Sequence, residues 1–307
     1  MCRVLAYLGH RVALDDLLFA ADRSLVRQAV DPQLMSLLNL AGFGFVAWDA
    51  ESPDPERPFA YRTPHLPVYD RNLKALAEKV RATGLLAHVR GVVYDPVEVV
   101  GGQNVHPFHF AGTPIAMAQN GDLYGFGRMR FDLLRHIRPE LVGQIEGTTD
   151  TEWLYALILS QLPDPSAPMD ATTMAGAIER ALEIVRAARE RHGIAVQSPV
   201  NLVVSDGRSL VATRFAFDYG WYPEDDSFFA GEREHDYTTL WFRTGSGLEM
   251  GGGSAHEVDG SSITSIVVSS EPLTSDRSVW LEAPEYSLMM VEPQDGELRV
   301  ESRELAP

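Results

Sequence analysis

The sequence predicts a layered domain of mixed helices and strands rather than a doubly wound parallel sheet. Helical and strand segments alternate irregularly, without the regular strand–helix–strand repeat that builds a parallel sheet. Apolar residues make up 45% and charged residues 22% of the 307 residues, proportions that are typical of a packed globular chain. Because no internal repeat or clear linker divides the sequence, we expect one domain over residues 1–307.

The first half of the chain is expected to begin with a strand and then to mix short helices with strands. Helices are predicted where Leu14, Leu17 and Leu18 share a face and where apolar residues recur at helical spacing near Leu73. Strands are predicted where apolar runs are bounded by glycine or proline. The predicted strands are 3–9, 42–48, 58–63, 84–90 and 114–119, and the predicted helices are 13–22, 72–82 and 126–136.

The second half is predicted to contain two helices followed by a strand-rich region. The helices are expected at 151–162 and 169–192, and the strands at 201–205, 209–215, 239–244, 263–270, 286–292 and 298–302. Between them, residues 218–238 carry seven carboxylates against the single Arg233. We expect an irregular acidic excursion over 218–262, interpreted as a solvated loop, with a lid or partner surface as the alternative.

Charge and hydropathy exclude two classes of partner. The formal net charge is −17, and such a chain is poorly suited to the phosphate backbone of nucleic acids, which requires clustered lysine and arginine. No apolar stretch approaches the roughly 18–20 residues that span a bilayer, and no secretion signal is evident. We therefore expect a cytoplasmic protein without nucleic-acid or membrane partners.

The only cysteine of the chain is Cys2, directly after Met1. A lone cysteine permits no internal disulfide and no thiolate-rich metal site. Initiator methionine is commonly removed ahead of small residues, and the new α-amine, with a pKa of about 7.7–8.0, could then accept the thiol proton. The alternative is that Cys2 is simply a buried residue at the start of a strand.

Three further segments place polar residues where a ligand site is plausible. Arg90 ends a buried strand, and its planar guanidinium suits a carboxylate, although a structural ion pair would also explain it. Asn120 and Gly121 are typical of a hairpin turn, yet their amide groups could form an oxyanion hole. Asp150 belongs to a helix-capping sequence, and it could alternatively bind an ammonium group.

Together these residues supply a nucleophile with its own base, an oxyanion hole, a carboxylate clamp and an ammonium acceptor. That set suits an α-amino acid head whose side-chain carbonyl is attacked, as in a γ-glutamyl amide. Three histidines (His88, His106 and His109) could instead suggest zinc, but no His-Glu-x-x-His motif accompanies them. We expect no metal and no organic cofactor.

The chain resembles the class II glutamine amidotransferases of the N-terminal nucleophile hydrolase superfamily. The resemblance is carried by Met1-Cys2-Arg3, His88-Val89-Arg90, Asn104-Val105-His106-Pro107-Phe108, Gln119-Asn120-Gly121 and Thr149-Asp150-Thr151-Glu152. Three later stretches resemble its stand-alone subgroup, namely Val204-Ser205-Asp206-Gly207, Val211-Ala212-Thr213-Arg214 and Ser269-Ser270-Glu271-Pro272-Leu273. That subgroup includes the γ-glutamyl-hercynylcysteine sulfoxide hydrolases of ergothioneine biosynthesis and the amidotransferase-like subunit of glutathione degradation.

The resemblance implies an α+β fold, the four-layer αββα sandwich of the N-terminal nucleophile hydrolases. It implies that Cys2 is the nucleophile, that Asn120 and Gly121 form the oxyanion hole, and that Arg90 and Asp150 bind the substrate's α-carboxylate and α-amino group. Residues 91–94 depart from the family pattern, so one wall of the pocket is expected to differ.

Three functions remain open from sequence. The first is a free-standing hydrolase of a γ-glutamyl amide, either glutamine or a γ-glutamyl conjugate, that releases glutamate through an N-terminal cysteine thioester. The second is a glutaminase subunit that supplies ammonia to a separate synthase. The third is a non-catalytic γ-glutamyl-binding or scaffold subunit. The expected partners are a small-molecule γ-glutamyl substrate and either a synthase or a second copy of the chain.

Overall fold

The computed structural model describes the chain in five stretches, which leave out most of the acidic excursion predicted over 218–262. The described residues are 2–34, 38–92, 99–221, 239–246 and 262–306. The predicted roles of the excursion therefore lie outside the described residues. Within these stretches, no helix combines the length and the apolar character needed to cross a membrane.

The strands of the first sheet span β1 Arg3–Ala13, β2 Phe43–Trp48, β3 Phe59–Thr63, β4 Arg81–Val89, β9 Trp241–Gly245, β10 Ser265–Ser269 and β11 Leu281–Glu282. As far as the structure describes the chain, these seven antiparallel strands follow the order β11-β9-β10-β1-β4-β2-β3. The strand β1, which follows Cys2, lies at the centre of this sheet between β4 and β10.

The strands of a second antiparallel sheet span β5 Ala116–Gly121, β6 Ser198–Ser205, β7 Leu210–Arg214, β8 Ala216–Phe217, β12 Ser287–Gln294 and β13 Glu297–Glu304. Their order is β13-β12-β7-β6-β5, and β8 pairs additionally with β6. The last strand, β5, carries Asn120 and Gly121, and its outer side forms an isolated bridge between Met117 and Phe108.

Seven α-helices of the described residues cover the outer faces of the two sheets. Three of them pack on the first sheet, where Leu14, Leu25 and Leu73 enter its apolar layer. The other four pack on the second sheet through residues such as Leu154 and Ile178. The helices span α1 Leu14–Leu18, α2 Leu25–Gln28, α3 Arg71–Ala77, α4 Phe126–Leu134, α5 Pro139–Val142, α6 Asp150–Gln161 and α7 Ala171–Arg191.

The layer between the sheets is built by the alternation of side chains along each strand. In β1, Leu5 and Tyr7 face the helices while Val4 and Ala6 face the second sheet, as the two-residue period of a strand requires. Small residues such as Ala118 accompany them in this inner layer. The predicted αββα sandwich is thereby confirmed.

Several predicted boundaries differ from those observed. The helix predicted over 72–82 ends at Ala77, and Arg81 already begins β4. Arg81 and Ala82 pair with Ala13 and Val12 of β1, so sheet pairing overrides the local helical pattern. The helix predicted over 13–22 is likewise shorter, ending at Leu18.

The turn between β6 and β7 lies close against the first sheet. Gly207 has a φ of +82°, and a Cβ there would lie 2.1 Å from Cγ of Trp48 at the end of β2. Gly84 of β4 lies against the same turn, because a Cβ on it would be 3.0 Å from the Gly207 carbonyl oxygen. The close approach therefore leaves no room for a side chain at position 207.

A pair of buried histidines lies in the inner layer beside β5. The rings of His88 and His106 stack with centroids 4.2 Å apart, and His88 Nε2 lies 3.1 Å from the Gln119 carbonyl oxygen. Burial lowers the pKa of His88 to about 3, an effect that the nearby Arg90 charge reinforces. Burial also lowers the pKa of His106 well below its usual value. Both rings are therefore neutral at neutral pH.

Replacing Gly207 by alanine should destabilise the fold more than the same change at Gly193. Both glycines have a positive φ, but Gly193 faces open space. Gly193→Ala should cost about 1–2 kcal/mol from the left-handed backbone conformation. Gly207→Ala should cost about 1–3 kcal/mol more, because of the collision with Trp48. Denaturant unfolding measures both free energies; equal losses would contradict the close approach of the sheets.

The neutral state of His88 should make the protein sensitive to acid. Below a pH of about 6.5 the unfolded chain takes up a proton at this residue that the folded chain accepts only near its lowered pKa. The free energy of unfolding should therefore fall with decreasing pH, by up to about 1.4 kcal/mol per pH unit for this proton. The free energy of unfolding, measured with urea from pH 6 to pH 4.5, should fall less steeply with decreasing pH in His88→Gln than in the wild type. The exposed His136→Gln is the control, and identical slopes in all three proteins would refute this account.

Candidate active site

Cys2 lies at the end of the first sheet where three central strands begin or finish. In the antiparallel register, Arg3 pairs with Val89 of β4 and Leu5 pairs with Ser269 of β10. The residues that follow Val89 and Ser269 along the chain are therefore brought to the same end of the sheet as Cys2. This pairing explains how residues 2, 90 and 270 come together.

Both the side chain and the backbone of Cys2 have neighbours that hold them in place. Its Sγ lies 3.4 Å from the amide nitrogen and 3.5 Å from the carbonyl oxygen of Gly91, and the residue is 8% exposed. Its carbonyl oxygen accepts a hydrogen bond from Arg3 Nη1 at 3.0 Å. Arg3 in turn forms a buried ion pair with Glu271, which follows β10.

Asn120 and Gly121 end β5 in the second sheet and do not form a hairpin turn. Gly121 has a φ of +140°, and a Cβ there would lie 1.8 Å from the Pro199 carbonyl oxygen, so this position accepts only glycine. Asn120 is buried, and its Nδ2 donates to Ser270 Oγ at 3.2 Å. The same Oγ accepts from Val4 N at 3.0 Å. One hydroxyl therefore connects the Asn120 amide to the strand that follows Cys2.

Asp150 is the first residue of α6, after the capping residue Thr149, whose Oγ1 accepts from Glu152 N at 3.4 Å. Asp150 Oδ2 accepts from Leu123 N, and Oδ1 accepts from Thr151 N at 2.7 Å and Thr151 Oγ1 at 3.3 Å. A carboxylate offers about four acceptor sites, so Oδ2 retains room for one more donor. Burial raises the pKa of Asp150, while these hydrogen bonds oppose the rise.

Arg90 follows β4 and is buried, with 4% of its surface exposed. Its Nη1 donates to the Val99 carbonyl oxygen at 3.2 Å. The positive charge of Arg90 acts to lower the pKa of Asp150, against the effect of burial. The two side chains therefore lie within electrostatic reach of each other, with opposite charges suited to the two ends of an amino acid head.

Asn104 connects the Arg90 and Asp150 loops, and the sequence did not single it out as a site residue. Its Nδ2 donates to Val99 O at 3.0 Å and to Thr148 Oγ1 at 2.9 Å, and its Oδ1 accepts from Thr148 N at 2.9 Å. The sequence signal was its place in the 104–108 run, which carried the family resemblance without indicating a role.

Arg3, Ser270 and Glu271 are also additions from the structure. Glu271 Oε2 accepts from Gln33 N at 2.9 Å, so this carboxylate holds a second loop besides Arg3. The sequence offered two signals, the position of Arg3 beside the cysteine and the Ser-Ser-Glu-Pro-Leu stretch. Neither signal predicts that Arg3 contacts Glu271, because the two residues are more than 260 positions apart in the sequence.

The histidine cluster considered for zinc does not form a set of ligands. Among the residues that the structure describes, no group of three or more His, Cys, Asp or Glu side chains is arranged to hold a metal ion. His88 and His106 stack face to face, while His109 Nε2 instead lies 2.8 Å from the Thr113 carbonyl oxygen.

A family profile and a related protein both connect this sequence to the glutamine amidotransferases. The profile of the class II glutamine amidotransferases matches residues 67–306, which include Arg90, Asn120, Gly121 and Asp150. The probable glutamine amidotransferase DUG3 of Saccharomyces cerevisiae is 26% identical over 96% of this chain and 82% of its own length.

Two solved structures share the fold. A glutamine aminotransferase class-II domain protein from Silicibacter pomeroyi is 22% identical with a TM-score of 0.64, covering 99% of this chain and all of that one. The glutamine phosphoribosylpyrophosphate amidotransferase of B. subtilis is 18% identical with a TM-score of 0.55, covering 97% of this chain and 48% of that one. Since the family profile spans most of the sequence, this protein belongs to the class II glutamine amidotransferases.

Proposed function

We propose that this protein hydrolyses the γ-glutamyl amide bond of glutamine or of a γ-glutamyl conjugate, and that Cys2 carries the glutamyl group as a thioester. The observation that carries the proposal is the convergence of Cys2, Arg90, Asn120–Gly121 and Asp150 at one end of the sandwich. Cys2 precedes β1, Arg90 follows β4, Asn120–Gly121 end β5 and Asp150 begins α6. A separate structural role for each residue would not explain why they lie together.

The proposed base is the α-amine of Cys2 after removal of Met1. A free thiol has a pKa near 8.5 and needs a base close to it. His88, with a pKa of about 3, is too weak a base to deprotonate a thiol at neutral pH. His106, whose pKa is also lowered by burial, is unsuited for the same reason. The tethered amine has a suitable pKa and needs little positioning.

In the proposed reaction the α-amine takes the thiol proton and Sγ attacks the δ-carbonyl carbon, forming a C–S bond and an oxyanion. Asn120 Nδ2 and Gly121 N donate hydrogen bonds to that oxyanion. The C–N bond breaks as the α-ammonium protonates the leaving amine, which leaves a γ-glutamyl thioester. Water then attacks the thioester while giving a proton to the α-amine. The C–S bond breaks, glutamate is released, and the α-ammonium returns its proton to the thiolate, which regenerates the thiol and the free amine.

Arg90 and Asp150 are the proposed anchors of the amino acid head. A guanidinium matches a carboxylate in charge and shape, and the remaining acceptor site of Asp150 suits an ammonium group. These anchors favour a γ-glutamyl substrate over an unsubstituted amide. The leaving amine is not selected by them, so glutamine and larger conjugates are both candidates.

Removing either the thiol or the free amine should abolish turnover. Cys2→Ala should lower glutamate release from γ-glutamyl amides by at least about 10³-fold, with the melting temperature nearly unchanged. A chain with an uncleaved tag ahead of Cys2 keeps the thiol but lacks the α-amine, and it should be equally inactive. Cleaving the tag with a protease that leaves Cys2 first is the matched control and should restore activity. Turnover by Cys2→Ala would disprove the mechanism, and turnover by the tagged chain would remove the amine from it.

The two anchors can be tested with truncated substrates. Arg90→Ala should lower kcat/KM for glutamine about 10- to 150-fold, the range for a lost hydrogen bond to a charged group, mainly through KM. That penalty should largely vanish for 4-aminobutanamide, which lacks the α-carboxylate. The Asp150→Asn penalty should vanish instead for glutaric acid monoamide, which lacks the α-amine.

Arg81→Ala, at the exposed start of the same strand, is the control and should match the wild type. Equal penalties on all substrates would show that Arg90 and Asp150 support the fold rather than bind the head.

A further inference from the structure

In the described stretches, the side chain of Asn120, the proposed donor to the oxyanion, forms a hydrogen bond with one hydroxyl. Its Nδ2 donates to Ser270 Oγ at 3.2 Å. Its Oδ1 is buried and has no hydrogen-bond partner among the described residues. The hydrogen bond to Ser270 therefore opposes rotation of this amide about χ2.

Ser270 also fixes where that amide lies relative to the nucleophile. Its Oγ accepts from Val4 N at 3.0 Å, two residues after Cys2, and the side chain is buried. A hydroxyl has two acceptor sites, and the two N–H donors occupy both. The same oxygen thus links Asn120 of the second sheet to the strand of the first sheet that follows Cys2.

Neighbouring contacts hold Ser270 in place. The next residue, Glu271, forms the buried ion pair with Arg3, and the Ser270 amide donates to the Val4 carbonyl oxygen at 3.1 Å. Two hydrogen bonds therefore join Val4 and Ser270, one between backbone groups and one from the Val4 backbone to the Ser270 side chain. The hydroxyl is consequently held at a fixed place, as an orienting group must be.

We propose that Ser270 is a positioning residue for the oxyanion hole: its hydroxyl orients the Asn120 amide so that the second Nδ2 proton faces the oxyanion formed at Cys2. The proposal rests on the proposed function. Ser270 does not contact the substrate in this account; it acts through Asn120. A second proton of the same NH₂ group remains for the oxyanion because Ser270 uses only one.

Ser270→Ala should lower kcat about 10- to 100-fold, less than the 10²–10³-fold expected when an oxyanion donor is removed outright. KM should change little, because Arg90 and Asp150 still bind the head. The rate at which iodoacetamide alkylates Cys2 should be unchanged, because that displacement forms no oxyanion. The matched control is Ser265→Ala, which removes a buried hydroxyl from the other end of β10. Within the described part of the chain, that hydroxyl donates only to the Gly245 carbonyl oxygen, and the variant should keep the wild-type kcat.

A double-mutant cycle with γ-glutamyl-4-nitroanilide separates positioning from general support of the fold. If Ser270 acts through Asn120, Ser270→Ala should have little further effect in the Asn120→Ala background. An undiminished effect there, or an unchanged kcat in Ser270→Ala alone, would overturn the inference. The loss of activity in Cys2→Ala tests the proposed function separately, because that result does not depend on Ser270.

Discussion

The arrangement of the site depends on one constraint, the antiparallel pairing of β1 between β4 and β10 in the middle of the first sheet. This pairing brings the residue before β1 to the end of the sheet where its two neighbours finish. Cys2, Arg90 and Ser270 thus share one place although they are far apart in sequence. Facing sheets, spaced by small side chains such as Ala6 and Ala118, then bring Asn120 to the same place.

Two buried histidines lie in the inner layer beside the candidate site. His88 and His106 occupy places where apolar side chains would otherwise lie, and burial keeps both rings neutral. The charges of Arg90 and Arg62 reinforce this effect at His106. The rings therefore add no charge of their own beside Arg90 and Asp150, the proposed anchors, and opposite charges interact more strongly where water is excluded.

The sequence predicted the layered fold and most of the strands, because strand alternation and apolar helix faces are local signals. Helix ends were less accurate: Arg81 and Ala82 pair with β1 instead of extending α3, and no local pattern reports a partner 70 residues away. The candidate site residues with distinctive chemistry, such as Cys2 and Arg90, were predicted from residue type and family resemblance. Ser270 and Asn104 were not predicted to belong to the candidate site, because the role of a serine or asparagine depends on contacts that form only in the folded chain.

The Val99 carbonyl oxygen accepts hydrogen bonds from both Arg90 and Asn104. Asn104 also holds Thr148, two residues before Asp150. Arg90 and Asp150, the two proposed anchors, are thus linked through the Val99 carbonyl group and the Asn104 side chain. Adapting the candidate site to a different head group would require redesigning these loops as one unit, since moving either residue alone disturbs the support of the other.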